Sequence, residues 1–438
     1  MPDHPGDVFC RIIPATGATM KAGWAAVAGL FCLGAASAAL ADAPPRARDL
    51  GVPFDGTPGP NNAITDVAGV TVGFKTLISG EGAVVRGKGP VRTGVTAILP
   101  RGKDDARAVF AGFFAGNGNG DLTGTHWVEE SGVLETPIMI TGTGSVGVVR
   151  DATFAWLADH RKGRFWYPVV GETADATLND MAGQHVTRQD AFDALGAAKP
   201  GPLAEGNVGG GTGMVCNGFK GGTGTASRKL PAADGGFTVG VLVQCNYGSA
   251  NELRIAGINV AREMALQPPC VTRLLSPPQM RRGKVADVCD PKKLALADET
   301  TEQHRGSIII VIATDAPLTA EQLKRLARRA SVGLGRLGAI EADGSGDIFI
   351  AFSTANAGAD DGNWAEEISR PAQVARLRSA ALNPVFQATV EGVEESVINA
   401  MVAARTMTGA NYWTVSALPH DQLQAILRRH GMVTKAAK

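Results

Sequence analysis

The sequence predicts an α/β fold, and three observations carry that expectation. Short β-branched apolar runs alternate with glycine turns, two helical patterns follow late in the chain, and 438 residues suffice for one large α/β domain or two modest ones. The strand-like runs are ITDVAGVTVGF, GVTAILP, PIMITGTGSVGVV and FTVGVLVQC, each short and bounded by chain breakers. The strongest comes later, at Ser307-Ile308-Ile309-Ile310-Val311-Ile312-Ala313, a run apolar enough to be buried on both faces. Leu323, Leu326, Ala330, Leu334 and Leu337 recur at helical spacing, as do Val390, Val393, Val397, Ala400, Met401 and Ala404. Lys324, Arg325, Arg328 and Arg329, interleaved in the first pattern, are expected to form a solvated face.

Composition narrows the function classes. Lysine plus arginine number 42, and so do aspartate plus glutamate, so the balanced charge gives no pointer to nucleic acid or to a polybasic membrane contact. Fifty-six glycines with only 5% aromatic residues predict tight turns and close backbone approaches, around a core of Val, Ile, Leu and Ala.

Residues 1–41 read as an export leader. Lys21 precedes WAAVAGLFCLGAASAALA, which ends in the A-x-A pattern Ala39-Leu40-Ala41, and Met20 is the expected true start. A membrane anchor is the rival reading, but the run is short, rich in small residues and lacks a positive stop-transfer flank. The mature protein is expected outside the cytoplasm, periplasmic or secreted. Cys10 and Cys32 fall in the leader, leaving Cys216, Cys245, Cys270 and Cys289. None has metal-ligand spacing, and Cys270 and Cys289 are candidates for pairing in an oxidising compartment.

Residues 42–63 form a Pro/Gly-rich lead-in, expected to be extended. From 266 to 306 the pattern breaks down into prolines and charges, as in an exposed linker. Gly306-Ser307 stands where this linker meets the strongest strand, so a cut there would leave Ser307 as a new N-terminus anchored by the sheet. A serine hydroxyl needs a base. The histidines lie in polar or end-of-element contexts and no G-x-S-x-G elbow is present. An N-terminal serine brings its own base, an α-amino group that titrates near 7.7–8.0 when unperturbed. Gly144-Ser145, Gly248-Ser249 and Gly344-Ser345 compete, but only Ser307 heads a strong strand.

GSIIIVIATDAPLTAEQLKRLARRA followed by GSGDIFIAFSTAN resembles the small chain of the DmpA-type aminopeptidases, which include the L-aminopeptidase/D-Ala-esterase and the β-aminopeptidases. The resemblance extends through NAITDVAGVTVG, GTHWVEESGVLETPIMIT, GETADATLND, EGNVGGGTGMVCNGFKGGTGT and VLVQCNYG, most of the mature chain in order. It implies a four-layer αββα sandwich of the N-terminal-nucleophile (DmpA/ornithine-acetyltransferase-like) type. A single domain would be cut into a large chain, 42–306, and a small chain, 307–438. It implies Ser307 as nucleophile and Gly306-Ser307 as cleavage site, Ser345 and Asp347 as supporting hydroxyl and acid, Asn246 as oxyanion donor, and Glu172 as the carboxylate that holds the substrate's free amine. The expected reaction is hydrolysis of short peptides, amides or esters through an acyl-enzyme on Ser307. No metal or organic cofactor and no nucleic-acid partner is expected, and by resemblance the assembly is a homo-oligomer, a tetramer or larger.

Taken alone, Ser345-Asp347 also reads as a turn or cap and Glu172 as a surface acid, and Asn246 in an N-Y-G turn is more often a turn former than a catalyst. Two departures from the family stand out. Ala174 replaces a tyrosine that relatives carry two residues after the glutamate, and the linker before Gly306 is longer. Ala174 favours an alternative, a weak or inactive peptide-binding relative. A remote alternative reads the glycine-rich stretch 206–213 as a phosphate loop, although no Walker lysine follows it.

Overall fold

Alternate side chains of the IIIVIA run enter two different cores, and this decides the architecture. Ile309, Val311 and Ala313 pack into one apolar cluster, and Ile308, Ile310 and Ile312 into another. A strand covered on both faces needs a second sheet on one side and helices on the other. The computed structural model of the protein, which describes residues 44–161, 165–281, 283–292, 294, 305–358 and 371–433, has that arrangement.

One sheet has four strands, β1 (Thr71–Ser79), β2 (Val91–Leu99), β5 (Ile138–Gly142) and β6 (Val169–Thr173), in the order β1-β2-β5-β6 with β5 and β6 parallel. The other adds β3 (Val109–Gly118), β4 (Val133–Leu134), β7 (Gly222–Lys229), β8 (Thr238–Asn246), β9 (Arg305–Thr314) and β10 (Gly344–Ser353), in the order β4-β3-β10-β9-β8-β7. Strands β9 and β10 run parallel at its centre, and β8 flanks β9 antiparallel.

Between the sheets lie Ile98, Ile138, Ile140, Leu242, Ile309, Val311, Ile350 and Phe352. Outside the four-stranded sheet, α2 (Val146–His160) and α3 (Arg188–Gly196) close a core through Val149, Ala152, Leu157, Ala191 and Leu195. A further helix, α1 (Thr125–Ser131), precedes β4. Outside the six-stranded sheet, α4 (Ala320–Ala327), α5 (Ala330–Arg336), α6 (Leu382–Val402) and α7 (His420–Arg429) supply Leu323, Leu334, Val393, Val397 and Leu427. The expected αββα sandwich is therefore the fold. Helix α6 can lie on β7 because Gly224 has no side chain; a Cβ there would sit 2.0 Å from the Ser396 carbonyl.

Several local expectations change. PIMITGTGSVGVV is a strand only as far as Gly142; its second half opens α2, whose buried Val149, Ala152, Thr153, Trp156 and Leu157 follow helical spacing. The first late helical pattern is two short helices separated by a turn at Arg328 and Arg329. Its basic face is not merely solvated. Arg325 and Arg329 lie over the Phe386 ring and Arg328 over Phe114, at 5.3, 4.0 and 5.2 Å from the centroids. The second pattern is one helix that ends at Val402, before Ala404.

The segment expected as an exposed linker is folded over its first half. Cys270 and Val271 are buried and pair with Thr414 and Trp413, and a disulfide joins Cys270 to Cys289. Low apolar content hid this, because cross-linking and β-pairing to a distant strand do the work of a core. The leader, 1–41, and residues 295–304 of the linker lie outside the described residues.

The lead-in from 44 onward is also clamped rather than simply extended. Arg48 makes two hydrogen bonds of 2.8 Å to the buried Glu395 of α6, and Arg228 of β7 reaches the same carboxylate at 2.8 Å. Burial pushes Glu395 up, but Arg48 and Arg228 outweigh it and hold the carboxyl below its ordinary value. A depressed carboxyl contributes stability that is present above the unfolded-state value and is lost as pH falls. Glu395→Ala, which leaves the buried Arg228, among the described residues, with only its 3.4 Å pair to Glu391, is expected to cost about 3 kcal/mol, the low end for breaking a buried pair. Urea unfolding at pH 7 measures the loss, and the gap to wild type should narrow as the pH is lowered.

Candidate active site

The expected site residues are delivered by strand ends at one edge of both sheets. Ser307 stands near the start of β9, Asn246 ends β8, and the two are direct cross-strand partners. Strand alternation gives Ser307 the face shared by Ile309, which looks toward the four-stranded sheet. From that sheet β6 contributes Glu172. Ser307, Asn246 and Glu172 all line a cleft of about 950 Å³, together with Asp121, Thr143, Ala174, Gly306 and Trp413. Each is almost fully buried, at 4, 8 and 5% exposure, so sequence-level readings of Glu172 as a surface acid do not hold.

Gly306 is required by its surroundings. A Cβ there would lie 2.4 Å from the Asn246 carbonyl oxygen, so the residue before Ser307 can carry no side chain without moving β8.

Asn246 is oriented by both ends of its amide. Its Oδ1 accepts from Val215 N at 2.8 Å, which turns Nδ2 the other way to donate to the Ala174 carbonyl at 3.0 Å. An amide nitrogen has two hydrogens, so a second donor remains to be aimed at the cleft. Ala174 thus contributes its backbone to the site even though its side chain is only a methyl group.

The turn that holds Asn246 is itself reinforced. A disulfide joins Cys216 to Cys245, the neighbours of Val215 and Asn246. Lys220 is fully buried and donates to the carbonyls of Met214 and Gly221 at 2.9 and 2.8 Å. Burial, with no facing carboxylate among the described residues, pushes its ammonium down to about 7. Neither the disulfide nor Lys220 was expected from sequence. The cysteines are 29 residues apart with no motif between them, and a lysine in a glycine-rich stretch carries no pattern of its own.

Glu172 is held by two donors. Asp121 N donates to Oε1 at 3.0 Å and the Thr143 hydroxyl donates to Oε2. Burial raises its pKa, and these two hydrogen bonds offset part of the effect. A desolvated carboxylate at a cleft wall suits a cationic group, which would restore the charge balance.

Ser345 and Asp347 are placed differently. They share the face of Phe349, opposite to that of Ser307, and do not line the cleft. In register they flank the junction: Ser345 stands beside Gly306, and Asp347 beside Ile308. The Ser345 hydroxyl donates to Asp347 Oδ1 at 2.7 Å, and burial pushes Asp347 up to about 6. Ser145 and Ser249, the other competing serines, are buried but line no part of the cleft.

The glycine-rich stretch does not form a phosphate loop. Gly209–Gly213 is a buried 3₁₀ turn packed on β2, with Gly209 N donating to Thr76 Oγ1 and Gly210 N to Thr96 Oγ1. Those N–H groups are spent inside the protein, which overturns the nucleotide reading.

The geometry gathers a serine on a central strand, an oriented amide donor and a buried carboxylate in one cleft. The sequence profile of Peptidase family S58 matches residues 62–415. The chain belongs to peptidase family S58. Beta-peptidyl aminopeptidase BapA of Sphingosinicella microcystinivorans is 50% identical over 413 residues, covering 94% of this chain and 98% of that protein. Among solved structures, the L-aminopeptidase D-Ala-esterase/amidase of Ochrobactrum anthropi, described as a variant of the Ntn hydrolase fold, superposes with a TM-score of 0.75. It is 43% identical and covers 89% of this chain and 100% of its own. A Burkholderia sp. beta-aminopeptidase gives 0.74 and 43%, over 88% and 99%. The S58 chain is accordingly an N-terminal-nucleophile serine aminopeptidase, and the inactive peptide-binding alternative gives way to the catalytic one.

Asp175, one residue past Ala174, offers a test of how costly this S58 site is to build. It is 1% exposed, neither carboxyl oxygen completes a hydrogen bond, and burial pushes it up to about 6. The nearby Thr93 and Asn179 offset this only in part. With the folded value raised, stability is greatest at low pH and declines as pH rises through about 6. Asp175→Asn is therefore expected to gain on wild type between pH 4 and pH 7, by about 2–3 kcal/mol for a displacement of roughly two pK units. Urea midpoints for both proteins at the two pH values measure it; a difference independent of pH would contradict it.

Proposed function

We propose that this chain cuts itself between Gly306 and Ser307 and then removes β-aminoacyl residues from the N-terminus of short peptides and related amides. The observation that carries the reading is the position of that peptide bond. It lies at the floor of the cleft, on a central strand, after a glycine whose site admits no side chain, beside Asn246 and in the same cleft as Glu172.

In the cut, Ser307 Oγ attacks the Gly306 carbonyl carbon, and the acyl group passes from nitrogen to oxygen. Water then hydrolyses the ester, leaving a carboxylate on Gly306 and a free α-amine on Ser307. That amine sits where the amide nitrogen was, next to the Ser345–Asp347 pair, which explains why the pair flanks the junction rather than the cleft. In turnover the amine takes the hydroxyl proton and Oγ attacks the substrate carbonyl. The ammonium then gives that proton to the leaving nitrogen as the amide C–N bond breaks. Water hydrolyses the acyl-enzyme ester to release the amino acid and restore the hydroxyl. The second hydrogen of Asn246 Nδ2 stabilises the oxyanion, a contribution of about 2.7–4 kcal/mol for donors of this kind. Glu172 binds the substrate ammonium and so selects for a free terminus.

Two observations support β-aminoacyl preference. The 50%-identical relative is named for β-peptidyl substrates. Ala174 also lines the cleft near Glu172 with a methyl group, leaving room for a backbone one methylene longer. Export through the leader 1–41 remains part of the proposal, supported by two disulfides that persist in an oxidising compartment. A homo-oligomer is carried over from the family expectation, and size-exclusion chromatography measures it.

Intact-mass analysis should find two fragments in wild type, the smaller beginning Ser-Ile-Ile-Ile, and one uncut chain in Ser307→Ala. Active wild type with the Gly306–Ser307 bond intact would end the proposal. N-acetylated substrates are expected to lose roughly 100-fold in kcat/KM against free amines, from the loss of a desolvated charge pair. A panel of β-alanyl, L-alanyl and D-alanyl p-nitroanilides measures both this and the acyl preference.

A further inference from the structure

The cleft around Ser307 has walls of two kinds. One is polar: Thr143 follows β5, Glu172 lies in β6, and Asp121 N donates to the Glu172 carboxylate. Pro269, Met280 and Trp413 line the same cleft and are apolar or aromatic. These three come from one unit, made of the folded segment before Ser307 and the strand Trp413–Val415.

Several independent ties hold that unit together. The Cys270–Cys289 disulfide closes the loop that contains Met280. Val271 pairs with Trp413, and Thr272 N donates to the Tyr412 carbonyl at 3.0 Å. Gln279 is 8% exposed and donates to the Asn411 and Arg273 carbonyls at 2.7 and 2.8 Å. Arg281 Nη1 donates to the Pro269 carbonyl at 3.2 Å, joining the hairpin of Met280–Arg281 with Lys284–Val285 to the proline of the cleft. Met280 is nonetheless 56% exposed and Trp413 half-buried, so this wall offers apolar surface to whatever enters.

The segment that carries Glu172 gives the order along the cleft. After Glu172 comes Ala174, whose carbonyl receives Asn246 Nδ2 at 3.0 Å. Leu178 follows, and its carbonyl receives Ala410 N at 2.8 Å, just before Trp413 in the chain. Along this segment the oriented amide stands between the carboxylate and the apolar wall. A substrate with its ammonium at Glu172 and its carbonyl at Asn246 sends its leaving part on toward Trp413.

We propose that Pro269, Met280 and Trp413 form an apolar subsite for the side chain of the residue that leaves. This rests on the aminopeptidase reading, in which Ser307 attacks the first carbonyl. A large apolar side chain there covers the indole face and the thioether, and all three lose contact with water. Methionine has an unbranched, polarizable side chain that adapts to rings and branched chains alike. The enzyme is thus built for short peptides whose second residue is large and apolar, over those whose second residue is small and polar.

The test compares aminoacyl-phenylalanine with aminoacyl-serine, for β-alanyl, L-alanyl and D-alanyl donors, on processed enzyme made from the full chain. Both leaving residues carry the same charges, so the difference reads the side-chain contact. In wild type kcat/KM should favour phenylalanine about 10-fold, the size of partial burial of one aromatic side chain. Trp413→Ala should bring that ratio to about 1, through KM rather than kcat, and Trp413→Phe should keep most of it. Met280 is exposed enough for Met280→Gln to leave the fold intact, and this change alone should cut the ratio about 3-fold. A wild type without preference for phenylalanine would overturn the subsite alone, as would variants that slow both substrates alike while turnover persists. Absence of turnover of every free-amine substrate by wild type would overturn both the subsite and the reading beneath it.

Discussion

Strand β9 is bonded along its length on both sides, to β8 from Val239 to Asn246 and to β10 from Gly344 to Ser353. The site depends on that double ladder. A residue near the start of such a strand keeps its position when the bond before it is broken, because its place is set by neighbours rather than by the chain upstream. Fragments made by a cut there would not drift apart either. Ile308, Ile310 and Ile312 share one core with Val241 and Val243, while Ile309 and Val311 share another with Ile138 and Ile140. Hydrophobic burial on both faces would thus hold the two parts together after the proposed cut at Gly306.

The same packing sets the electrostatics of the site. Glu172, Asp175 and Asp347 are all carboxyls whose pKa is raised by burial, and Lys220 is an ammonium lowered by it. Such groups work against stability, and their concentration near one cleft is the pattern of a site built for chemistry. What compensates is a set of short ties around Asn246: the Val215 N–H, the Cys216–Cys245 disulfide and the two carbonyls bracketed by Lys220. They fix an amide that would otherwise rotate, which suits the oxyanion role proposed for it.

The loop carrying Arg281 extends this economy to the rim. Its apolar content is too low to fold alone, and it is ordered by a disulfide and by two residues of pairing to the strand Trp413–Val415. One cleft therefore takes its floor from the two sheets and part of its wall from a cross-linked segment that precedes the nucleophile.

The sequence by itself determined the α/β class, the central strand after Gly306 and the outer helix over Val390–Met401. These rest on local periodicity and burial, which neighbouring residues encode together. Through motif resemblance it also determined the sandwich and pointed to Ser307, Asn246 and Glu172. Only the tertiary structure decided the rest. That Ser345 and Asp347 flank the junction instead of the cleft follows from which face of β10 they occupy, and face is set by register with β9. The Cys216–Cys245 bond, the bracket around Lys220, the burial of Asp175 and the presence of Arg281 at the cleft wall depend on segments distant in sequence meeting in space. No local pattern records such meetings, because each partner looks ordinary until the other is beside it.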